Sequence, residues 1–79
     1  MQKIKVTVVR KRYGKYVTVI NGIDADKIDI KDLIKKLKSE LACGGTYKND
    51  QLELQGNHRE RVKKILEREG FPSEMIEVE

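Results

Sequence analysis

Side chains able to perform nucleophilic or acid–base chemistry are scarce, since the 79 residues hold one histidine and one cysteine. His58 lies one turn before the apolar stripe of a predicted helix, where a histidine usually packs or caps. Cys43 is predicted at the C-terminal end of another helix, where the helix dipole disfavours a thiolate. One cysteine and one histidine also exclude an internal zinc cluster built from those ligands. The sequence therefore predicts no catalytic residue, metal site or cofactor.

Asn57 and Arg59 form a more serious candidate for chemistry. They lie at the predicted start of the second helix, where free backbone N–H groups attract phosphate and an arginine could bind it. Small phosphatases of the acylphosphatase kind use an arginine in a glycine-rich phosphate cradle, with an asparagine to orient water. The segment GNHR has one glycine, and Asn57 is predicted to cap the helix. We therefore expect a protein that is not an enzyme.

Basic side chains are concentrated in a short loop that also contains an aromatic ring. Its residues are Arg10, Lys11, Arg12, Tyr13, Gly14 and Lys15. The four cations repel one another and do not contribute to a hydrophobic core. An external anion would therefore compensate their charge. The tyrosine ring could stack on a base or ribose of unpaired RNA. The alternative is a solvated turn that only raises solubility.

A second basic cluster is predicted on the first helix. Lys31, Lys35 and Lys38 fall within an arc of about 60° beside the leucine stripe, whereas the rest of the polar surface is mixed. The alternative is an ordinary lysine-rich helix. The net charge of +4 and the pI near 9.3 favour a polyanionic partner. Without a GXXG loop or the paired aromatics of an RNA-recognition motif, recognition of folded RNA by shape and backbone is expected.

The elements that position these residues follow from hydrophobic periodicity. Alternation predicts strands at 3–10 and 16–20, joined by a loop whose Gly14 can take a positive φ. Apolar residues at three- and four-residue steps predict a helix from Ile30 to Leu41, capped by Asp29 and stopped by Gly44-Gly45. Strands at 46–48 and 51–55 are joined by Asn49-Asp50. A second helix is predicted between Asn57 and Gly70, with Glu60 completing a capping box, and a last strand at 75–78.

The order β-β-α-β-β-α-β predicts an α+β fold. We expect a two-layer sandwich of a mostly antiparallel sheet with two helices on one face. The strand order is not determined by the sequence. The length predicts a single domain, residues 1–79. With no secretory or transit segment at its start and no apolar run near the roughly 20 residues of a membrane span, a cytoplasmic monomer is expected.

Four segments resemble one family in particular. The segments are KRYGK at 11–15, NGID at 21–24, LACGGTYKND at 41–50 and LQGNHRERVKKIL at 54–66. Together they are similar to the translation initiation factor one family of archaea and eukaryotes, and the resemblance covers nearly the whole chain. It implies a mixed sheet with two helices on one face. It also implies a factor that binds the small ribosomal subunit near the P site and discriminates against non-start codons.

The resemblance also implies partners and roles. The partners are small-subunit RNA, mRNA, initiator tRNA and other initiation factors. Contacts with ribosomal RNA would come from Lys11, Arg12, Gly14 and Lys15, and from Lys31, Lys35 and Lys38 on the first helix. A motif implicated in start-site fidelity corresponds to Gln55, Gly56, Asn57 and Arg59, although capping alone would explain Asn57.

Two departures from eukaryotic members limit the resemblance. They carry a longer tail before the first strand, so any interaction of that tail is expected to be absent here. Their loop around Asn49-Asp50 is also longer, which puts a contact of that loop with initiator tRNA in doubt. Two other functions stay open: a general ribosome- or RNA-associated binding module, and a protein-interaction adaptor.

Overall fold

The structure, a computed structural model, describes residues 3–79. The chain opens with a hairpin of β1 (Ile4–Arg10) and β2 (Tyr16–Asn21), whose ladder extends from Lys5↔Asn21 to Arg10↔Tyr16. Helix α1 (Ile30–Leu41) follows, and then a second hairpin of β3 (Gly45–Lys48) and β4 (Gln51–Gln55). Helix α2 (Arg59–Arg68) leads through a short 3-10 turn, Ser73–Met75, into β5 (Ile76–Val78). The predicted element order is confirmed.

The strands form one sheet in the order β3-β4-β2-β1-β5. Every neighbouring pair is antiparallel except β1 and β5, which are parallel. The α+β class and the mostly antiparallel sheet are therefore confirmed, and the strand order, which the sequence left open, is settled. The second hairpin turns at Asn49 and Asp50, which both adopt left-handed φ values of 53° and 61°. Such values are typical of a tight two-residue hairpin loop.

Both helices cover one face of the sheet. The inward residues of the strands, among them Ile4, Val6 and Ile20, pack in one core with Leu37 of α1 and Leu66 of α2. All five side chains are almost fully buried. The inward faces of the strands and the apolar stripes of the helices therefore meet in a single core layer. The period of two in the strands and of 3.6 in the helices places these side chains on the facing sides.

The first helix has the predicted bounds and the predicted Asp29 cap, which accepts the Asp32 N–H, but its stop signal differs from the prediction. It stops at Leu41, and Ala42 adopts the left-handed conformation (φ 50°) while the Cys43 N–H donates to the Lys38 carbonyl at 3.1 Å. Gly44-Gly45 is therefore not the stop signal. Gly45 already belongs to β3, where an added Cβ would lie 2.7 Å from the Glu53 carbonyl oxygen. This glycine is required by close strand pairing rather than by the helix.

The predicted cap of the second helix is also wrong. The N-cap position is occupied by His58, which makes no side-chain capping hydrogen bond, so neither Asn57 nor a capping box with Glu60 closes this end. The reason is tertiary: the His58 N–H donates to the buried Thr18 hydroxyl, 40 residues away, at 2.9 Å. That contact holds the chain in place one residue beyond the expected cap. Gly70 closes the helix as predicted, with φ 105°.

Chain direction divides the molecule into two ends. The tip end holds the first hairpin loop, the start of β2, the end of α1 and residues 55–59, because β4 runs antiparallel to β2 and finishes opposite Val17. The far end holds residues 22–30, the Asn49-Asp50 turn and residues 68–75. The longest dimension of the molecule is 36 Å. No helix within residues 3–79 has the length and apolar character needed to cross a membrane.

Candidate nucleic-acid interface

The loop between β1 and β2 forms a compact tip. Residues Arg12–Gly14 make a single 3-10 turn, and the Lys11 N–H donates to the Lys15 carbonyl at 2.6 Å. Gly14 takes a positive φ of 73°, as predicted, and Tyr13 unexpectedly does too, with φ 64°. A left-handed conformation costs a residue with a side chain about 1–2 kcal/mol. This conformation leaves the Tyr13 ring 94% exposed.

The cations of the tip are exposed and electrostatically uncompensated. Within residues 3–79, no carboxylate lies in ion-pair range of Arg10, Lys11, Arg12 or Lys15. Their charges therefore add, and the tip is a surface that attracts anions. Four exposed cations next to an exposed tyrosine ring have the chemistry that binds phosphates and stacks on an unpaired base.

Of the predicted basic cluster of α1, Lys31 and Lys38 lie on the flank away from the ion pairs with α2, whereas Lys35 also lines a cavity with Arg68 and Glu69. Lys31, Lys35 and Lys38 are all exposed, and none is ion-paired within the described chain. Lys38 lies beside the start of β3, with its Cγ 3.5 Å from a Cβ built on Gly45. The helix rises about 1.5 Å per residue, so Lys31 lies roughly 10 Å further along the axis. Lys38 therefore shares the tip end, whereas Lys31 lies towards the far end.

The opposite flank of α1 is ion-paired with α2. Lys36 contacts Asp32 at 3.2 Å and Glu69 at 2.8 Å, and hydrogen bonds to these two carboxylates raise the pKa of Lys36. Glu40 binds Arg68, and the hydrogen bond from this guanidinium lowers the pKa of the Glu40 carboxyl. These charges pair the two helices with each other, so the alternative of an ordinary lysine-rich helix fits this side of α1.

The segment Gln55–Arg59 lies at the tip end and is tied to the base of the first hairpin. The Gly56 N–H donates to the Tyr16 carbonyl at 2.8 Å. The Thr18 hydroxyl, fully buried, donates to the Gly56 carbonyl at 2.7 Å and accepts the His58 N–H. Segment and hairpin are thus fixed to each other through hydrogen bonds of the backbone and one buried side chain.

Gly56 and His58 form the turn within this segment. Gly56 has φ 102°, and a Cβ at this position would lie 2.6 Å from the His58 Nε2. The same ring nitrogen is 2.8 Å from the Gln55 carbonyl oxygen. The histidine ring therefore covers the glycine and braces the turn. This is the packing role that the sequence favoured over catalysis, although the side chain makes no capping bond.

The polar side chains of the segment differ in their contacts. Asn57 is exposed, and its amide makes no side-chain hydrogen bond within residues 3–79, so capping no longer accounts for it. Arg59 donates to the Glu79 carbonyl at 3.0 Å, which ties α2 to the end of the chain. The Gln55 side chain lies against Gly44, whose added Cβ would be 3.1 Å from the Gln55 amide carbon. Asn57 and Gln55 are therefore the members of the motif whose side chains make no hydrogen bond within residues 3–79, and of the two only Gln55 packs against Gly44.

Two further residues of this region were not predicted from the sequence. Tyr16 pairs with Arg10 at the base of the tip and is 46% exposed, which adds a second accessible ring. Thr18 organises the segment from the buried face of β2. A signal for Thr18 was present, because it lies two residues before Ile20 and so on the same inward face, where a polar residue needs a partner. The sequence did not indicate which residues form hydrogen bonds with the Thr18 hydroxyl.

Neither the cysteine nor any metal cluster adds chemistry. Partial burial raises the pKa of the Cys43 thiol, against a smaller opposing effect of Lys38, so the reactive thiolate is disfavoured. Within residues 3–79, no three His, Cys, Asp or Glu side chains converge as a metal ion requires.

Comparison with known proteins identifies relatives over almost the full length. A family model described as "Translation initiation factor SUI1" matches residues 1–72. The "Protein translation factor SUI1 homolog" of Thermococcus kodakarensis is 59% identical over 78 residues, which cover 99% of this chain and 80% of that protein. The homologue of Pyrococcus horikoshii is 56% identical over 99% of this chain and 79% of its own length. The homologue of Methanococcus vannielii is 57% identical over 77 residues, which cover 98% of this chain and 76% of that protein.

Proposed function

Since this chain belongs to the translation initiation factor SUI1 family, we propose that it binds the small ribosomal subunit near the P site and promotes accurate start-codon selection. The family membership supports a role in translation initiation. Its partners are small-subunit RNA, mRNA, initiator tRNA and other initiation factors. It acts as a single-domain monomer in the cytoplasm and catalyses no reaction.

One observation carries the proposal: the uncompensated cations of the tip lie at the same end as the free Asn57 amide. The tip supplies the charge for backbone phosphates of folded RNA, and each phosphate contact releases counterions. Lys38, and further along α1 Lys35 and Lys31, extend the basic surface. Because hydrogen bonds link Gly56 to Tyr16 and to Thr18 of β2, a displacement of the docked tip would also displace the segment that carries Asn57.

The proposed mechanism is a difference between two binding free energies. The factor binds the subunit state that rejects mismatched codons more tightly than the state in which a codon has been accepted. Correct pairing of the start codon then has to overcome this difference, and an incorrect codon does not. The factor forms and breaks no covalent bond in this scheme.

Binding to the subunit is tested by sedimentation with purified small subunits over a range of salt. Replacing Lys11, Arg12 and Lys15 with Ala should weaken binding by roughly 5- to 150-fold, if each exposed contact contributes about 0.3–1 kcal/mol. The log–log salt slope should become shallower by about 2–3, since three phosphate contacts are lost. The matched control removes the same charge from the far end, by changing Lys3, Lys27 and Lys48 to Ala. Equal effects of both variants would refute the assignment of the tip.

Codon selection is tested separately by toeprinting, with complexes at AUG and at near-cognate codons compared. We expect Asn57→Ala to change their ratio through its affinity for one of the two subunit states, while the fold stays the same, because this amide makes no hydrogen bond within residues 3–79. Ser39→Ala, an exposed polar change on α1, serves as the control. If the protein binds subunits but never alters this ratio, the alternative is correct, and it is a general ribosome-associated RNA-binding module.

A further inference from the structure

The far end of the molecule contains an apolar groove. Two adjoining cavities of about 250 and 440 Å³ share Ile28 and Phe71 in their linings, between the loop before α1 and the segment after α2. Ile23 is buried beneath the groove, whereas Ile28, Phe71 and Met75 are half-exposed. The groove therefore presents apolar side-chain surface to solvent at the end opposite the basic tip.

Carboxylates line this groove and are only partly neutralised. The lining residues include Asp24, Asp29, Asp32 and Glu69, and one cation among the described residues, Lys27. Asp32 and Glu69 share Lys36 as an ion-pair partner.

Asp24 and Asp29 are different, because each accepts one backbone N–H and contacts no cation within residues 3–79. Their donors are Asp26 at 2.9 Å and Asp32 at 3.1 Å. Two uncompensated negative charges therefore border the apolar surface.

The acidic surface extends towards the second hairpin. Partial burial raises the pKa of the Tyr47 hydroxyl, and the negative charges of Asp50, Asp26 and Asp24 raise it further. Asp50 is in direct contact with this hydroxyl, since the Tyr47 Oη donates to its carboxylate at 3.3 Å. Among residues 3–79, the lining of the groove carries four carboxylates and one cation, Lys27, so its charge is opposite in sign to that of the tip and disfavours RNA phosphates.

We propose that this groove binds a lysine- or arginine-rich segment of a protein partner, whose apolar side chains insert against Ile28, Phe71 and Met75. Apolar anchors would supply affinity, and the flanking cations would pair with Asp24 and Asp29 and set specificity. The groove and the basic tip lie at opposite ends, so a nucleic acid and this protein segment can be bound together. The inference does not depend on the ribosomal role of the tip.

The test uses the full chain and three synthetic peptides, followed by backbone amide chemical shifts in NMR. The first peptide combines Lys and Leu, with the leucines at helical spacing. The second replaces every Lys with Glu, and the third replaces every Leu with Ser. We expect the first peptide alone to produce saturable shifts at Ile23, Ile28, Phe71 and Met75.

Charge variants then test the groove itself. The double change D24N/D29N removes two charges but keeps both oxygen acceptors, and asparagine is as good a helix cap as aspartate. This double change should lower the affinity for the Lys/Leu peptide about three- to tenfold at low salt. The control E53Q/E60Q makes the same change of charge away from the groove and should leave the affinity unchanged.

Several results would overturn the proposal. They are shifts confined to other surfaces, equal binding of the Glu/Leu peptide, and equal weakening by both double variants. If an unpaired RNA oligonucleotide changes the chemical shifts of the same groove amides, the groove binds nucleic acid and the proposal is wrong. If sedimentation shows that the protein self-associates as its concentration rises, and peptide binding is lost at the same time, a second copy of this chain covers the groove.

Discussion

The buried hydroxyl of Thr18 is the contact that orders the segment carrying Asn57. The side chain is 0% exposed and makes two hydrogen bonds, at 2.7 Å to the Gly56 carbonyl and at 2.9 Å from the His58 N–H. Thr18→Val keeps the volume and removes both bonds. Each bond contributes about 1 kcal/mol, and an unsatisfied buried partner costs a further 1–3 kcal/mol. Because Gly56 and His58 are partly exposed to water, we expect a total loss of about 2–3 kcal/mol.

Equilibrium denaturation gives this loss as a change in the free energy of unfolding. Thr18→Ser is the matched control, because it keeps the hydroxyl and loses one methyl group, at a cost of about 1 kcal/mol. Hydrogen exchange at the His58 amide should accelerate in the valine variant and stay protected in the serine variant. If serine destabilises the protein more than valine does, packing rather than hydrogen bonding accounts for Thr18, and the reasoning fails.

Three further predictions concern the tip, the turn and the helix pair. Tyr13→Gly should change stability by less than about 0.5 kcal/mol, since relief of the left-handed φ offsets the entropy of glycine, yet weaken RNA binding in gel-shift titrations. Gly56→Ala should destabilise by roughly 1–3 kcal/mol in thermal unfolding, because the His58 ring must move. Arg68→Gln should raise the lowered pKa of Glu40 in an NMR carboxyl titration. The contribution of this pair is present above the ordinary carboxyl pKa and lost as pH falls through the folded value, so both proteins should converge in acid.

Much of the fold was predictable because it depends on local periodicity. Ile4, Val6 and Ile20 alternate with polar residues, and the leucines of α1 recur at helical spacing, so the inward faces could be identified before any packing was known. The Asn49-Asp50 turn was readable for the same reason, since both residue types tolerate the left-handed conformation that the hairpin uses.

The helix ends were predicted less well, because several residue types compete for them. Asn57 is a good cap by type, yet the distant Thr18 hydroxyl fixes the backbone one residue later. Gly44-Gly45 reads as a helix stop, yet Ala42 terminates α1 and Gly45 serves strand pairing. At the start of α2 a tertiary contact prevailed over a local preference of about 1 kcal/mol, whereas α1 ends through local hydrogen bonds to the Lys38 carbonyl.

By itself, the sequence determined the elements, their order, the buried faces and the concentration of charge at residues 10–15, because each depends on residues close together along the chain. The tertiary structure alone decided that Gln55–Arg59 lies beside Tyr16, and that an acidic apolar groove occupies the other end. The hydrogen bonds that join Thr18 to Gly56 and His58 span 38 and 40 residues. Such contacts depend on strand order and on how the helices pack across the sheet, which no local pattern of residues encodes.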